Sequence, residues 1–276
     1  MNGINENNTV INSYRRSGEK HMVMFYFSGT GNSKYIAELF CQNINAVCHS
    51  IEESEEGVDF EKLIAAEEII GFCYPVYASR VPRTMREFVV KHIASLKGKK
   101  LIIFCTQVLF SGDGARAFAG IFPRNFIKVI YAEHFRMPNN VCNFFLTPLE
   151  SERKVKRYVT KAEHKMRLVC GDIEGGIVKK RGFNIVSRIL GLPQGACISI
   201  LEKKGRDSVK INGNCAQCGL CVSVCPMSNF EYANGAISPK GNCAICYRCI
   251  NKCPQKAISV FIRGKVKRQY RGVNRI

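Results

Sequence analysis

The chain has 276 residues, enough for two domains or one domain with an appended module, and 46% of them are hydrophobic, enough for a real core. No run of 18 or more apolar residues occurs, which argues against a spanning helix. Lys and Arg number 41 against 22 Asp and Glu, a formal net charge of +19 that would suit nucleic acid, an acidic protein or an anionic surface.

Residues 1–21 are polar and rich in Asn, with no apolar periodicity and neither the charged nor the apolar segment of a secretory signal. A flexible polar leader is expected there. At Met22 the pattern changes. Met22 to Phe27 is a short, fully apolar run that reads as a buried strand. It leads into Ser28-Gly29-Thr30-Gly31-Asn32-Ser33 and then K-Y-I-A-E-L-F, which has helical spacing. A strand, a loop of glycines and small hydroxyls and a helix start together form a phosphate-binding arrangement. Glycines let the backbone approach an anion, and the amides and hydroxyls donate to it at the helix N-terminus. An ordinary capping turn is the alternative.

Strand and helix patterns then alternate: a weak strand at 46–51, a helix at 60–66, a strand at 68–74, a helix at 81–94 and a strand at 100–106. A short helix at 114–121 and a last strand at 126–135 follow. This alternation predicts an α/β doubly wound parallel sheet. Its ligand would sit beyond the carboxyl ends of the strands. Three loops meet there: 28–33, 75–81 and 106–114. From Thr147 to about Gly176 runs a basic segment with Val155, Tyr158, Val159, Ala162, Met166 and Val169 at helical spacing, expected to pack on its own domain. A further short helix is expected within 178–200, and we take 146–207 as a helical connector.

The last third holds the strongest signal. C-A-Q-C-G-L-C-V-S-V-C-P begins at Cys215 and C-A-I-C-Y-R-C-I-N-K-C-P at Cys243, each reading C-x2-C-x2-C-x3-C-P. Three evenly spaced thiolates suit a corner of an iron–sulfur cube, and in this pattern the fourth cysteine ligates the other cube. Cys215, Cys218, Cys221 and Cys253 would then hold one [4Fe–4S] cluster, and Cys243, Cys246, Cys249 and Cys225 the second. Zinc more often takes two separated C-x2-C pairs, and a disulfide framework belongs to small secreted chains. The other seven cysteines have no ligand spacing, and so many free thiols suggest a cytoplasmic location. The five histidines share no spacing with Cys, Asp or Glu that would make a catalytic or metal site. An edge strand is expected after Pro254, and 263–276 is a basic tail without an acidic residue.

Residues 208–262, through Gly213 to Pro226 and Cys253 to Ile258, resemble the bacterial two-cluster ferredoxins, which implies a small α+β domain there. F-S-G-T-G-N-S, after the first strand, resembles the FMN phosphate loop of short-chain flavodoxins. The resemblance implies that Ser28, Gly29, Thr30, Gly31, Asn32 and Ser33 hold the FMN phosphate, in a flavodoxin-like domain over 22–145. Y-P-V-Y at Tyr74 to Tyr77 resembles the flavin-side loop of a flavodoxin–ferredoxin fusion family. It implies that Tyr77 stacks on or edges the ring and that Pro75, Val76 and Ala78 wall it. Thr106, Gln107 and the backbone through Gly112, Asp113 and Gly114 would meet the pyrimidine end. The chain has no Trp, so the indole stack of some flavodoxins is absent.

The expected function is electron transfer between the two clusters and FMN, and onward to redox proteins that present an acidic docking surface. Two cubes and a flavin phosphate add roughly six negative charges, which leaves the chain basic and nucleic acid disfavoured as a partner. The alternatives are a flavin-dependent oxidoreductase acting on a small substrate and a nucleic-acid-binding iron–sulfur redox sensor.

Overall fold

The computed structural model describes residues 22–273 except 54–56, 78, 110–111, 144–147, 234 and 262–265, with the side chains of 192–199 also outside the description. The leader and much of the basic tail therefore lie outside the described residues.

Six parallel strands form the central sheet: β1 (Met22–Tyr26), β2 (Val47–Ser50), β3 (Ile69–Pro75), β4 (Lys100–Gln107), β5 (Lys128–Arg136) and β6 (Lys179–Lys180). Their order is β2-β1-β3-β4-β5-β6, so the chain steps outward from β1 in both directions and leaves a switch point between β1 and β3. A parallel sheet is covered on both faces, which is why β1 reads as an unbroken apolar run. Its side chains alternate between two cores. Val23 and Phe25 join Phe60, Ile64, Phe88 and Phe118, from α2 (Phe60–Ala66), α3 (Arg83–Lys91) and α4 (Gly114–Ala119). Met22, Met24 and Tyr26 join Ile36, Phe40, Val155 and Met166, from α1 (Asn32–Ile44) and α5 (Glu152–Glu174).

Local chemistry sets the helix ends. Gly31, at φ 103, turns the chain into α1 in a conformation that glycine adopts without cost. Asp59 caps α2 by accepting from the Lys62 amide. Pro82 precedes α3, whose pattern continues into a 3-10 turn at Ala94–Leu96. The basic segment after Thr147 is α5, packed on the sheet through the apolar stripe read from the sequence. The chain then returns to the sheet edge as β6 before entering α6 (Ile185–Arg206), longer than the short helix expected there.

The C-terminal part has its own small core of Val209, Phe230, Ile237, Ile250, Ile258 and Val260. β7 (Lys210–Ile211) pairs antiparallel with β10 (Ile258–Ser259), and β8 (Phe230–Ala233) with β9 (Ala236–Pro239). Two short helices, α7 (Leu220–Ser223) and α8 (Arg248–Lys252), carry cysteines between them.

At the carboxyl end of β5, buried Glu133 is met by Lys165 at 2.9 Å, Arg181 at 3.4 Å and Lys179 at 3.7 Å. Burial works to raise its pKa, but the Lys165 hydrogen bond and charge carry it below the usual value. Burial depresses the neighbouring His134 to about 4. An unfolded histidine takes up a proton near 6.5 while the folded one stays neutral, so stability falls as pH drops through that window. Between pH 7 and 5.5 this histidine should account for about 1 kcal/mol of lost stability. Urea unfolding of His134→Gln should show a correspondingly shallower pH dependence than the parent chain.

Candidate cofactor sites

The phosphate loop closes on itself and on its surroundings. The Ser28 hydroxyl accepts from the Gly31 amide at 3.0 Å, and Ser33 in the first turn of α1 shares a hydrogen bond of 2.7 Å with Thr106 near the end of β4. Asn140 donates to the Thr30 hydroxyl, while Asn32 donates to the Pro138 carbonyl and accepts from the Tyr270 hydroxyl at 2.6 Å. These bonds hold the loop's side chains in place along one cavity of about 260 Å³.

Ser28, Gly29, Thr30, Asn32, Ser33, Pro75, Val76, Tyr77, Thr106 and Gln107 all line that cavity, so three loops far apart in sequence converge as the doubly wound sheet requires. Gly31 lines a second cavity behind the loop, beside Lys34, Lys252 and Arg271. Gly112, Asp113 and Gly114 stand apart from the first cavity. Gly112 abuts Ser79 and Gly191, Asp113 pairs with Arg116, and Gly114 packs under Val76. Ala78 lies outside the described residues. The Tyr77 hydroxyl and Gln107 Oε1 are buried without a hydrogen-bond partner among the described residues. Buried polar atoms are rarely left so. Their position in the cavity fits a ring system that brings its own donors and acceptors.

The eight motif cysteines fall into two groups that cross between the repeats. Cys215, Cys218, Cys221 and Cys253 line one small cavity. Cys225 lies within electrostatic reach of Cys243, Cys246 and Cys249. The halves also share their hydrogen bonds to sulfur. The amides of Gln217 and Ile245 donate to Cys215 and Cys243, at 3.4 and 3.2 Å. The amides of Asn229 and Ala257 donate to Cys225 and Cys253, both at 3.3 Å. Such N–H···S bonds stabilise a cluster's charge and tune its potential. Burial pushes the Cys246 thiol up to about 12 and Cys249 well above its ordinary value, so bound iron has to supply the charge that makes them thiolates.

One of the two groups lies against the phosphate loop. Cys246 is buried in the same core as β1 and α3, and a methyl group on Gly29 would run into its carbonyl oxygen. Next to it, Arg248 donates to the carbonyls of Ser28 at 2.8 Å and Gly29 at 3.2 Å and forms a bidentate pair with Glu52 at 2.6 and 2.7 Å. Ile245, Tyr247 and Phe261 complete the wall of the loop's cavity. Tyr247 holds φ 61, where its counterpart in the first repeat is Gly219 at φ 73. A tyrosine held in that conformation costs of order 1 kcal/mol, and its side chain gains a place in the cavity wall. The segment after 265 binds both parts as well: Tyr270 and Val273 are buried in the sheet's core, and Gln269 donates to the carbonyls of Ile250 and Cys253.

Sequence reasoning missed Ile245, Tyr247, Arg248, Glu52, Asn140 and Tyr270. The signal for two of them lay in the repeat itself, since Tyr247-Arg248 is where the second half departs from Gly219-Leu220 of the first.

A doubly wound sheet with a glycine–hydroxyl loop at its switch point, joined to two crossed sets of four cysteines, defines a redox electron-transfer protein. Residues 23–145 match the family model described as a flavodoxin domain, and residues 214–258 the one described as a 4Fe-4S dicluster domain. Among curated proteins none matches. Similar solved structures include a flavodoxin from the domain Archaea, at 15% identity and TM-score 0.38 over 55% of this chain and 98% of that one. General stress protein 14 of Treponema denticola in complex with FMN is similar at 12% and 0.41, over 56% and 99%. The Trp repressor binding protein of Bacillus subtilis is similar at 13% and 0.39, over 55% and 96%. The chain is a fusion of a flavodoxin domain with a dicluster ferredoxin domain, and the cofactors of that pair are FMN and two [4Fe–4S] clusters.

Proposed function

We propose that the chain relays electrons between its two clusters and FMN within one molecule and exchanges them with partner redox proteins. The clusters carry single electrons and the flavin one or two, so the pair couples one-electron to two-electron chemistry. The observation that carries the reading is the packing of the Cys246 backbone on Gly29, which leaves no layer of protein between the second cysteine group and the loop. Cys215, Cys218, Cys221 and Cys253 hold the distal cluster, and Cys225, Cys243, Cys246 and Cys249 the one beside the flavin. Ser28 to Ser33 seat the phosphate, Tyr77 and Tyr247 flank the ring, and Gln107 hydrogen-bonds its edge. Arg248 fixes the distance between loop and cluster.

The partner surface is basic. Arg136, Lys154, Arg157 and Lys161 line a cavity of about 520 Å³ that also reaches Gln107, and Gln107 lines the flavin cavity as well. An acidic redox protein docked there would be steered by charge and would meet the flavin edge.

Anaerobic preparation should yield about eight irons and one FMN per chain, since each cube carries four irons. After rapid one-electron reduction, electrons should redistribute between clusters and flavin at a rate independent of protein concentration. A rate proportional to concentration would mean transfer between molecules and would sink the relay. With an acidic flavodoxin as donor, the bimolecular step should slow steeply as salt is added.

A further inference from the structure

We propose that α6 is a membrane-surface helix, lying on an anionic lipid bilayer through an aliphatic face that ends in exposed lysines. Fourteen large hydrophobic residues are exposed among the described residues, and eight of them fall between 177 and 201: Ile177, Val178, Ile185, Val186, Ile189, Leu190, Ile200 and Leu201. No Asp or Glu occurs from Gly175 to Leu201, whereas Lys180 and Arg188 do, besides Lys179 and Arg181, which pair with Glu133.

The helix is two-faced in the manner this requires. At the ~100° per residue of an α-helix, Ile185, Val186, Ile189, Leu190, Ile200 and Leu201 occupy an arc of roughly 160°. Ser187, Gly191 and Gly205 are the buried positions, and they sit on the opposite side. There Gly191 meets Asp113, and Gly205 meets Ile245 and Phe261, so at its described residues the helix is seated on the body of the protein by small residues and turns the aliphatic arc outward. Lys203 and Lys204 are exposed and continue that arc one turn further, where long cationic side chains can reach phosphate headgroups. No helix among the described residues is long and apolar enough to cross a membrane, so the helix would lie on the bilayer.

The chemistry of the face selects lipid over protein. Protein interfaces concentrate aromatic and arginine anchors in pockets with charges of both signs. This face is aliphatic, Lys203 and Lys204 extend it, and the one carboxylate beside it, Glu202, is held by Arg86, which matches an anionic headgroup layer over hydrocarbon. Leu201 also lines the cavity assigned to the flavin, so docking would turn one wall of that cavity toward the lipid.

Vesicle co-sedimentation of the full chain with its cofactors tests this. The chain should bind vesicles of equal parts phosphatidylglycerol and phosphatidylcholine, bind pure phosphatidylcholine at least about tenfold more weakly, and lose affinity with salt. The double variant Ile185→Ser/Ile189→Ser should lower the affinity at least about tenfold, because two exposed aliphatic side chains no longer enter the bilayer. Its iron and flavin content and thermal midpoint should stay unchanged. Lys203→Glu/Lys204→Glu should weaken binding to the anionic vesicles and flatten its salt dependence. Absence of binding to anionic vesicles, or binding that both variants leave intact, would overturn the proposal. So would a concentration-dependent dimer in light scattering that Ile185→Ser/Ile189→Ser dissolves, since a second copy would then be what covers the face.

Discussion

Cys225→Ala is expected to disconnect the flavin from the chain's own electrons, whereas Cys253→Ala is expected to leave that connection in place. In sequence Cys225 closes the first repeat, beside Cys215, Cys218 and Cys221. In the fold it stands with Cys243, Cys246 and Cys249, the group whose backbone packs on Gly29. Removing it should therefore damage the cluster next to the flavin cavity, and removing Cys253 the distal one. Each variant should lose one cube's EPR signal, with bound iron falling from about eight to about four per chain, or convert that cube to a three-iron form, with about seven. The flavin separates them. Internal electron redistribution should slow at least about a hundredfold in Cys225→Ala, roughly 2.7 kcal/mol of barrier, and should persist in Cys253→Ala. If both variants affected the flavin equally, the assignment of a proximal and a distal cluster would fail.

The elements that local pattern can encode were legible in the sequence. The strands of the sheet are buried on both faces, so β1, β3 and β4 stand out as short apolar runs. The repeated cysteine spacing points to the crossed grouping that the fold shows, Cys253 with the first repeat and Cys225 with the second. The contact between the two halves was hidden, because main-chain atoms carry one side of it. The carbonyls of Ser28, Gly29 and Cys246 meet or accept across more than 200 residues of chain and leave no side-chain periodicity behind. Only Arg248 advertises it, as a cation placed between two cysteines. The tail is a case that sequence leaves undecided. Its charges leave open a nucleic acid, an acidic partner or a return over the phosphate loop, and the described part takes the last course: Tyr270 and Val273 are buried in the sheet's core and the Tyr270 hydroxyl reaches Asn32 in the loop. Gly112 to Gly114 have the composition of a flavin-contacting loop, yet they pack against Ser79, Gly191 and Val76. Composition identifies a flexible loop and does not say which way it faces.

Gly29→Ala is the sharpest test of how closely the halves are fitted. Gly29 does not need glycine for its backbone angles, since it is not among the positive-φ residues. It needs glycine for space, because a Cβ would collide with the backbone carbonyl of Cys246, and backbone cannot swing aside as a side-chain tip can. Relief has to come from parting the loop from the cysteine turn, which stretches the Arg248 bonds to Ser28 and Gly29 and moves the amides that would meet the phosphate. Overpacking of this kind costs about 1–3 kcal/mol. FMN should bind at least about tenfold more weakly, the loss of roughly 1.4 kcal/mol. Internal electron transfer in the fraction that retains FMN should slow as well. Iron content should hold at its parent value, because all eight cysteines and their N–H···S bonds are untouched. Gly171→Ala supplies the control: a Cβ there meets nothing within 4 Å inside α5, and alanine is the better helix former by up to about 1 kcal/mol. Equal flavin affinity in Gly29→Ala and Gly171→Ala would mean that the cysteine turn does not shape the flavin site, and the relay would lose the contact on which it rests.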